Sequence, residues 1–383
     1  MEEKQLQKNG RIYLIVYKMK KSKIKILYVE FPHHYLAADN LLTLSNLGLE
    51  WYSTGYYLDE NGSGDLPKIS TYYNNDRFRK ELKKCKGWKS DLNNTVEERI
   101  KTFTEKKIYD KWKFTPEFIK QFDIVFFNHD INNVIDNLEV LENKIVIFNT
   151  FGMGVIKDEI KIGSLRALKK IVRVSNNEFE KLRTNLYGGH DAIIHGSVVP
   201  DEQTIKNWNG NKQQICTFSN VFASDQKRRE HFIRIKQRCS EYIFLLYGSG
   251  NENEPLSCGF VNMDEKIKIM QNSRVHLVTG TPGSSCTYSL VESMIMGAPV
   301  VCYGQKMWQS QSYEPSKLFS HGEDILIGET PEECSDYINL LMKDKELCQF
   351  LSKNARKKAI SIYGRVNIIE KWRNLFNSLG FNL

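Results

Sequence analysis

One carboxylate, Glu292, lies in a largely apolar stretch of the chain, SLVESMIMGAPVV. A charged side chain in a buried segment is costly unless another group pairs with it. Either helical periodicity turns Glu292 toward water, or a ligand meets it inside the protein. The predicted elements on either side decide which chemistry this carboxylate could perform.

These elements are predicted to be a strand, a turn, a helix and a second strand. VHLVTG has the apolar run of a buried strand, and TPGSS turns the chain. Ser284 or Ser285 can cap the helix, and Gly297 can end it. The helix would begin at the carboxyl end of a parallel strand, where its dipole favours a phosphate. Glu292, about two turns further along, could then accept hydrogen bonds from ribose hydroxyls.

The stretch CTYSLVESMIMGAPVV (residues 286–301) resembles the donor-binding signature of GT-B glycosyltransferases of the retaining family-four, or group 1, type. The resemblance implies an α/β protein with two doubly wound Rossmann-like lobes and a donor cleft between them. It also implies that Glu292 holds the nucleotide ribose. The expected donor-side neighbours are the phosphate-side backbone of Tyr288, Ser289 and Leu290, together with Gly280 and Thr281.

Ser284 is the main departure from the family pattern. The family usually has a second glutamate eight positions before the ribose ligand, in contact with the transferred sugar, and Ser284 occupies that position. The departure matches a subtype of bacterial and phage-encoded relatives with the pattern TGTPxxxYTLxxxEAM. Ser284 is therefore a donor-side candidate, but the resemblance does not define the sugar.

The resemblance continues upstream over YIFLLYGSGNENEPLSCGFVNMDEKIKIMQNSRVHL (residues 242–277). It implies that Gly248 and Gly250 end a strand, and that the backbone near Val261 and Asn262 contacts the base. A GxG pattern by itself also occurs in ordinary turns. Its position, about forty residues before Glu292, is what makes it informative.

A diphosphate also requires cations, which the family usually places early in the second lobe. Here SDQKRREHF supplies Lys227, Arg228 and Arg229 where a loop enters a helix. We expect Arg228 to act catalytically by stabilising the departing diphosphate, with Arg229 on the donor side. The alternative is that these side chains form an exposed helix face.

The candidates in the first lobe are mostly histidines. His129, in FFNHD, follows a predicted strand, and the resemblance implies that it borders the donor sugar as a catalytic group; the alternative is a structural histidine. Thr150, in FNTFG, ends the next strand. His33 and His34 follow the first strand, where the family has a glycine-rich acceptor loop that is missing here. We expect Thr150, His33 and His34 on the acceptor side.

The alternation of strands and helices predicts two lobes. We assign residues 1–196 to an acceptor-side Rossmann-like lobe and 197–360 to the nucleotide-sugar-binding lobe. Residues 361–383 contain an amphipathic helix that is expected to pack back toward the first lobe. Weak periodicity across 50–112 indicates a long insertion or acceptor-side loops, and NNEFEKLRTNL (176–186) is predicted to be a helix.

Composition limits the possible partners. The net charge of +8 over 383 residues suits an anionic ligand or peripheral contact with an anionic membrane, but is too diffuse to indicate nucleic-acid binding. The eight cysteines show no CxxC or Cys/His ligand spacing, as expected of reduced thiols. With no apolar run long enough for a transmembrane segment, we expect a cytoplasmic protein.

Missing motifs exclude several enzyme classes. There is no DxD to chelate a metal-bound diphosphate, no GxGxxG after the first strand, and no GxSxG or P-loop. The sequence predicts metal-independent, retaining transfer of a sugar from a nucleoside diphosphate co-substrate to a hydroxyl acceptor, without a cofactor. A carbohydrate acceptor is favoured over DNA. Two alternatives are a glycosyltransferase acting on hydroxymethylated DNA bases and a nucleotide-sugar epimerase on the same fold.

Overall fold

The computed structural model describes two parallel sheets with helices packed on them. Apolar clusters line both sheets, and every strand pair is parallel. The described residues are 24–29, 40–41, 43–44, 46–54, 85, 112–150, 155–196, 207–220, 222–280, 287–308 and 315–383.

The first sheet has the strand order β2-β1-β3-β4-β5-β6. Its strands are β1 (Lys25–Val29), β2 (Glu50–Ser53), β3 (Ile124–Asn128), β4 (Ile145–Thr150), β5 (Val172–Ser175) and β6 (Ala192–Ile193). Every residue of β3 is buried, as expected where both faces of a parallel sheet are covered. β2 lies in the region 50–112, where the weak periodicity predicts no element.

Side-chain caps define the starts of two of the helices that the structure describes in this unit. Among the described residues after β2, the helices are α1 (Pro116–Ile119), α2 (Ile131–Ile135) and α3 (Ile156–Ala167). The Thr115 hydroxyl accepts a hydrogen bond from the Phe118 N–H (3.2 Å), and Asp130 accepts one from the Asn132 N–H (2.9 Å). Each cap satisfies a backbone donor that lacks a partner within its helix.

The segment 176–186 contains a single 3-10 turn, Glu178–Leu182, so the prediction of a full helix there is wrong. Asn177 caps the turn, and the Glu180 carboxylate is drawn into the protein interior. There it accepts hydrogen bonds from the Ser175 hydroxyl (2.5 Å) and the Thr150 hydroxyl (3.2 Å). These buried bonds fix the chain after one turn, and helical propensity is too weak to override them.

The second sheet has the strand order β11-β10-β9-β7-β8, with β9 in the middle. Its strands are β7 (Lys212–Phe218), β8 (Ile243–Tyr247), β9 (Ser273–Val278), β10 (Val300–Tyr303) and β11 (Leu326–Gly328). Residues 197–206, where the sequence places the boundary between lobes, lie outside the described residues. Because β9 is central, a ligand at its carboxyl end can contact loops from strands on both sides.

The helices of the second unit connect these strands and cover the sheet. They are α4 (Gln226–Arg238), α5 (Met263–Asn272), α6 (Tyr288–Met296), α7 (Gln305–Trp308), α8 (Pro315–Leu318), α9 (Pro331–Lys343) and α10 (Lys345–Tyr363). Gly297 ends α6 with a positive φ of 80°, a conformation that glycine adopts without the strain of a Cβ.

The last helix, α11 (Arg365–Ser378), packs on the first sheet although it follows the second in sequence. Its apolar stripe consists of Ile368, Trp372, Leu375 and Phe376. The Trp372 ring lies 5.5 Å from the ring of Phe126 in β3, centroid to centroid, and the side chain is 1% exposed. The final helix therefore contributes to the core of the first unit.

We expect Trp372→Ala to lower the free energy of unfolding by about 3–5 kcal/mol, because it leaves a cavity beside Phe126. Urea denaturation followed by fluorescence and circular dichroism would measure the change. Val366→Ala, on the exposed face of the same helix, is the matched control and should stay within about 0.5 kcal/mol of wild type. Equal stabilities of the two variants would contradict the packing of α11.

Candidate functional site

The helix that carries Glu292 begins at the carboxyl edge of the second sheet. β9 ends at Val278, and α6 starts after Thr287, whose backbone is extended and whose side chain makes no capping hydrogen bond. Thr287 occupies the N-cap position, so the prediction that Ser284 or Ser285 caps the helix is wrong. The N-terminus of a helix carries backbone donors and a partial positive charge. A phosphate at this edge would therefore meet the favourable end of α6.

Glu292 is buried, and its partner is Lys266 on α5. The carboxylate Oε2 accepts a short hydrogen bond from the Lys266 ammonium. The two side chains are 7% and 19% exposed, respectively. All α6 residues from 289 to 296 are buried, so the alternative that periodicity turns Glu292 toward water is wrong. The carboxylate is instead an ion-paired group inside the protein.

The Phe218 ring lies against the Lys266 ammonium. Its Nζ lies 5.4 Å from the centroid of the Phe218 ring, within the range of a cation–π contact. Phe218 also stacks on Tyr247, and its carbonyl accepts a hydrogen bond from the Ser289 hydroxyl (3.3 Å). Lys266 is thus held between β7 and α6, at the end of the sheet where the donor is expected.

Two threonine hydroxyls flank the start of α6. Thr279 follows β9 and is 3% exposed, whereas Thr287 immediately precedes α6 and is 9% exposed. Neither Oγ1 atom has a hydrogen-bond partner among the described residues. Because a buried hydroxyl without a partner is costly, both are candidate contacts for a polar ligand. Neither threonine is among the site residues that the sequence predicts.

Arg228 is buried and contacts the backbone of Gly280, two residues after the end of β9. Its Nη1 atom donates to the Gly280 carbonyl (2.6 Å) and to the Ser219 hydroxyl (3.0 Å), and Nη2 donates to the Phe222 carbonyl (3.1 Å). Burial lowers the pKa of this guanidinium, while nearby Asp225 raises it. The alternative of an exposed helix face is wrong, since Arg228 is 4% exposed. Direct contact with a diphosphate stays a prediction.

Arg229 forms an ion pair with Glu254. Its Nε and Nη2 atoms donate to the two carboxylate oxygens at 2.8 and 3.3 Å. The hydrogen bond to Glu254 raises the pKa of Arg229. This bidentate pair joins α4 to the loop after β8, so Arg229 has an observed structural contact and a predicted donor contact.

Glycines bring the loop after β8 close to the loop after β7. A Cβ atom on Gly248 would lie 2.2 Å from the Ser219 carbonyl oxygen, so only glycine fits. Gly250 has a positive φ of 73°. Further along, Asn262 caps α5 by accepting a hydrogen bond from the Glu265 N–H (2.9 Å), and Val261 precedes it. Base contacts by the backbone of Val261 and Asn262 stay predictions.

His129 follows β3 in the first sheet and has a positive φ of 59°. Its backbone N–H donates to the Asn149 carbonyl (2.8 Å), which joins the ends of β3 and β4. Non-glycine residues in this conformation are uncommon and occur often at functional sites. The structure places His129 at the carboxyl edge of the sheet, and its contact with a sugar stays a prediction.

Thr150 lies in a buried polar network rather than at a surface. It is 0% exposed, and its hydroxyl donates to Glu180 (3.2 Å) and to the Val174 carbonyl (3.2 Å). Arg173 completes the network with a bidentate ion pair to Glu159 (2.7 and 2.9 Å). Because its hydroxyl is enclosed by these groups, Thr150 is not accessible to an acceptor in this structure.

The remaining candidates lie outside the described residues. They are His33, His34, Thr281 and Ser284. In the parts of the chain that the structure describes, no group of three or more His, Cys, Asp or Glu side chains could hold a metal ion. Within the same ranges, none of the helices combines the length and the apolar character that crossing a membrane requires.

Several solved structures are similar to this chain over nearly its whole length. A glycosyltransferase from Rickettsia africae ESF-5 is 13% identical, with 94% of this chain and 100% of that chain covered and a TM-score of 0.63. HepE from Anabaena, in complex with UDP and glucose, is 11% identical, with 93% and 100% covered and a TM-score of 0.58. The chain has the GT-B fold.

The GT-B fold does not by itself define the activity. A putative UDP-N-acetylglucosamine 2-epimerase from Listeria monocytogenes is also similar, at 12% identity, with 93% of this chain and 98% of that chain covered and a TM-score of 0.52. No family model and no curated protein matches the sequence. The activity must therefore be argued from the residues at the site.

His276 lies in the middle of the second GT-B sheet, next to the Lys266–Glu292 pair. It is 0% exposed, and neither ring nitrogen has a hydrogen-bond partner among the described residues. The ring packs edge-on against Phe218, 5.8 Å between centroids. Burial lowers its pKa to about 3, and the charge of Lys266 adds to the effect. The imidazole is therefore neutral near pH 7.

We expect His276 to make the protein sensitive to acid. In the unfolded state the His276 imidazole takes up a proton as the pH drops below 6.5, whereas in the folded state it does so only near pH 3. The free energy of unfolding therefore decreases as the pH is lowered from 6.5 toward 3. The loss attributable to His276 between pH 7 and pH 5 should be about 2 kcal/mol. Urea denaturation at both pH values would show this loss in wild type and its absence in His276→Phe. Equal pH dependence in the two proteins would contradict it.

Proposed function

We propose that this protein transfers a sugar from a nucleoside diphosphate donor to a hydroxyl acceptor. The observation that carries the proposal is the buried, ion-paired carboxylate of Glu292 on the helix that follows the central strand of a GT-B sheet. A carboxylate there can accept hydrogen bonds from ribose hydroxyls while the start of α6 faces the phosphates. HepE in complex with UDP or UDP-glucose supports UDP as the first nucleotide to test.

In the proposed mechanism, the bond between the anomeric carbon and the leaving phosphate oxygen breaks as the acceptor oxygen bonds to the same face of the sugar. The acceptor proton passes to the leaving phosphate, so no strong protein base is needed. The start of α6 would stabilise the negative charge that develops on the diphosphate. Arg228 would support this by holding Gly280, and His129 would border the sugar.

An epimerase is the alternative that shares the fold. It would need carboxylates that exchange a proton beside the sugar. Glu292 and Glu254, two buried carboxylates of the described second unit, are ion-paired with Lys266 and Arg229 instead. This pairing suits ligand binding better than proton transfer, and it favours the transferase.

The proposed acceptor is a carbohydrate, and the alternative is a hydroxymethylated base in DNA. Much of the excess of basic residues sits in two short runs, KMKKSKIK (18–25) and KELKKCKGWK (80–89). Such runs usually form solvated faces, and they do not identify a DNA groove. We also propose a cytoplasmic location, and peripheral contact with an anionic membrane remains compatible with it. On α3, the exposed Ile156 and Ile160 lie near the exposed Lys157, a combination that suits such contact.

Donor binding is the direct test of the proposal. In thermal shift with a panel of nucleotide sugars, at least one should raise the melting temperature of the wild type, because binding stabilises the folded state. Glu292→Gln should lower the affinity for that nucleotide at least tenfold by calorimetry, since bonds to a charged acceptor are worth about 1.5–3 kcal/mol. Glu346→Gln, at an exposed position of α10, is the control. Unchanged affinity in Glu292→Gln would remove Glu292 from the donor site.

Transfer itself should continue in excess EDTA, because the predicted donor site uses a helix N-terminus and basic residues in place of a metal. The assay would follow release of the nucleoside diphosphate with a panel of saccharide acceptors, and NMR of the product would report retention. Complete loss of activity that manganese restores would contradict metal independence. If sugar is transferred to hydroxymethylated duplex DNA and to none of the saccharides, the proposal of a carbohydrate acceptor is wrong.

A further inference from the structure

The Lys266–Glu292 pair joins two different helices. Lys266 lies in the first half of α5, Glu292 lies in the middle of α6, and 26 positions separate them in sequence. The contact is therefore not a local helical pair of the i, i+4 kind. It depends on the packing of α5 and α6 beside the central strand β9, at the proposed donor site.

The pair resolves a charge problem in α6. A carboxylate among buried neighbours must be paired, protonated or turned toward water. Lys266 supplies the pairing, and its own ammonium is held over the Phe218 ring. The backbone N–H of Lys266 also donates to the Asn262 carbonyl (2.9 Å), so the backbone of Lys266 is held in the first turn of α5.

The ion pair leaves lone-pair sites on the Glu292 carboxylate that a ligand can use. An ionised carboxylate has two oxygens and about four lone-pair sites. The ammonium of Lys266 takes one site on Oε2. Both hydroxyls of a ribose can therefore be accepted while the ion pair stays intact, and the ammonium orients the carboxylate before the ligand arrives.

We propose that Lys266 is a positioning residue for the donor, which pairs with Glu292 and orients its carboxylate to receive the 2′ and 3′ hydroxyls of a ribonucleotide. This inference rests on the proposed function and deepens it. The substrate class is a ribonucleoside diphosphate sugar with both hydroxyls present. Lys266 contributes through Glu292, so its removal weakens recognition of the hydroxyls and leaves other donor contacts in place.

The test compares ligands with and without those hydroxyls. Calorimetry would measure the affinity of the nucleoside diphosphate that gives the larger melting shift, UDP or GDP, and of its 2′,3′-dideoxy analogue. Wild type should bind the ribonucleotide at least tenfold more tightly than the analogue. Lys266→Met should lose at least tenfold for the ribonucleotide and less than about threefold for the analogue, whereas Lys266→Arg should keep most of the discrimination.

Lys268→Met is the matched control, since it removes the same charge from an exposed position of the same helix. Lys268→Met should prefer the ribonucleotide over the dideoxy analogue by the same factor as wild type. The double variant Lys266→Met/Glu292→Gln removes both members of the pair, so it tests the inference even if Lys266→Met alone folds poorly. The double variant should bind the ribonucleotide with the same affinity as Glu292→Gln alone, because Lys266 acts only through Glu292.

The outcomes separate the inference from the proposed function. If wild type binds a nucleoside diphosphate but Lys266→Met discriminates as well as wild type, the role of Lys266 is wrong and the proposed function stands. Additive losses in the double variant would overturn the same role. If wild type binds no nucleotide sugar of the whole panel and no nucleoside diphosphate derived from it, the proposed function fails, and the inference fails with it.

Discussion

The second unit depends on placing a charged carboxylate inside a helix that is buried from Ser289 to Met296. Glu292 is compatible with that helix because α5 brings an ammonium to it from outside α6. In the chain, α5 immediately precedes the central strand β9 and α6 follows it, so both helices lie beside the same strand and can contact each other. Arg228 acts in the same region by binding the Gly280 carbonyl beyond β9. Charged groups thus hold both the loop and the helix at the carboxyl edge where ligands of parallel sheets bind.

The first unit contains a buried ionic network of a different kind. Arg173 binds Glu159 through two hydrogen bonds and lies 3.5 Å from Glu180, so one guanidinium serves two carboxylates. The Gly188 N–H donates to Glu159, and a Cβ on Gly188 would lie 2.5 Å from the Glu159 carbonyl oxygen. The network therefore fixes α3, β5 and the loop near Gly188 together. Removing one member of such a cluster is costly because it leaves a buried charge without its partner.

The fold and the chemistry are separate questions for this protein. The GT-B fold is shared by a structure described as a glycosyltransferase, by HepE in complex with UDP and glucose, and by a structure described as a putative epimerase. What favours transfer is local: a buried carboxylate that an ammonium already neutralises, beside the start of a helix. A carboxylate held in this way keeps lone pairs that can accept hydrogen bonds from a ligand, which is the physical basis of the proposed function.

The sequence by itself determined the features that depend on neighbouring residues. Alternating apolar strands and helices predicted two parallel sheets, and the spacing from TPGSS to Gly297 predicted α6 with Glu292 inside it. Tertiary structure alone decided which groups meet across long separations. Lys266 had no distinguishing pattern within α5, Thr150 ended an ordinary strand, and Glu180 was expected on a helix that its buried bonds do not allow. Periodicity reports which face of an element is apolar, but the pairing of buried charges follows from how separate elements pack.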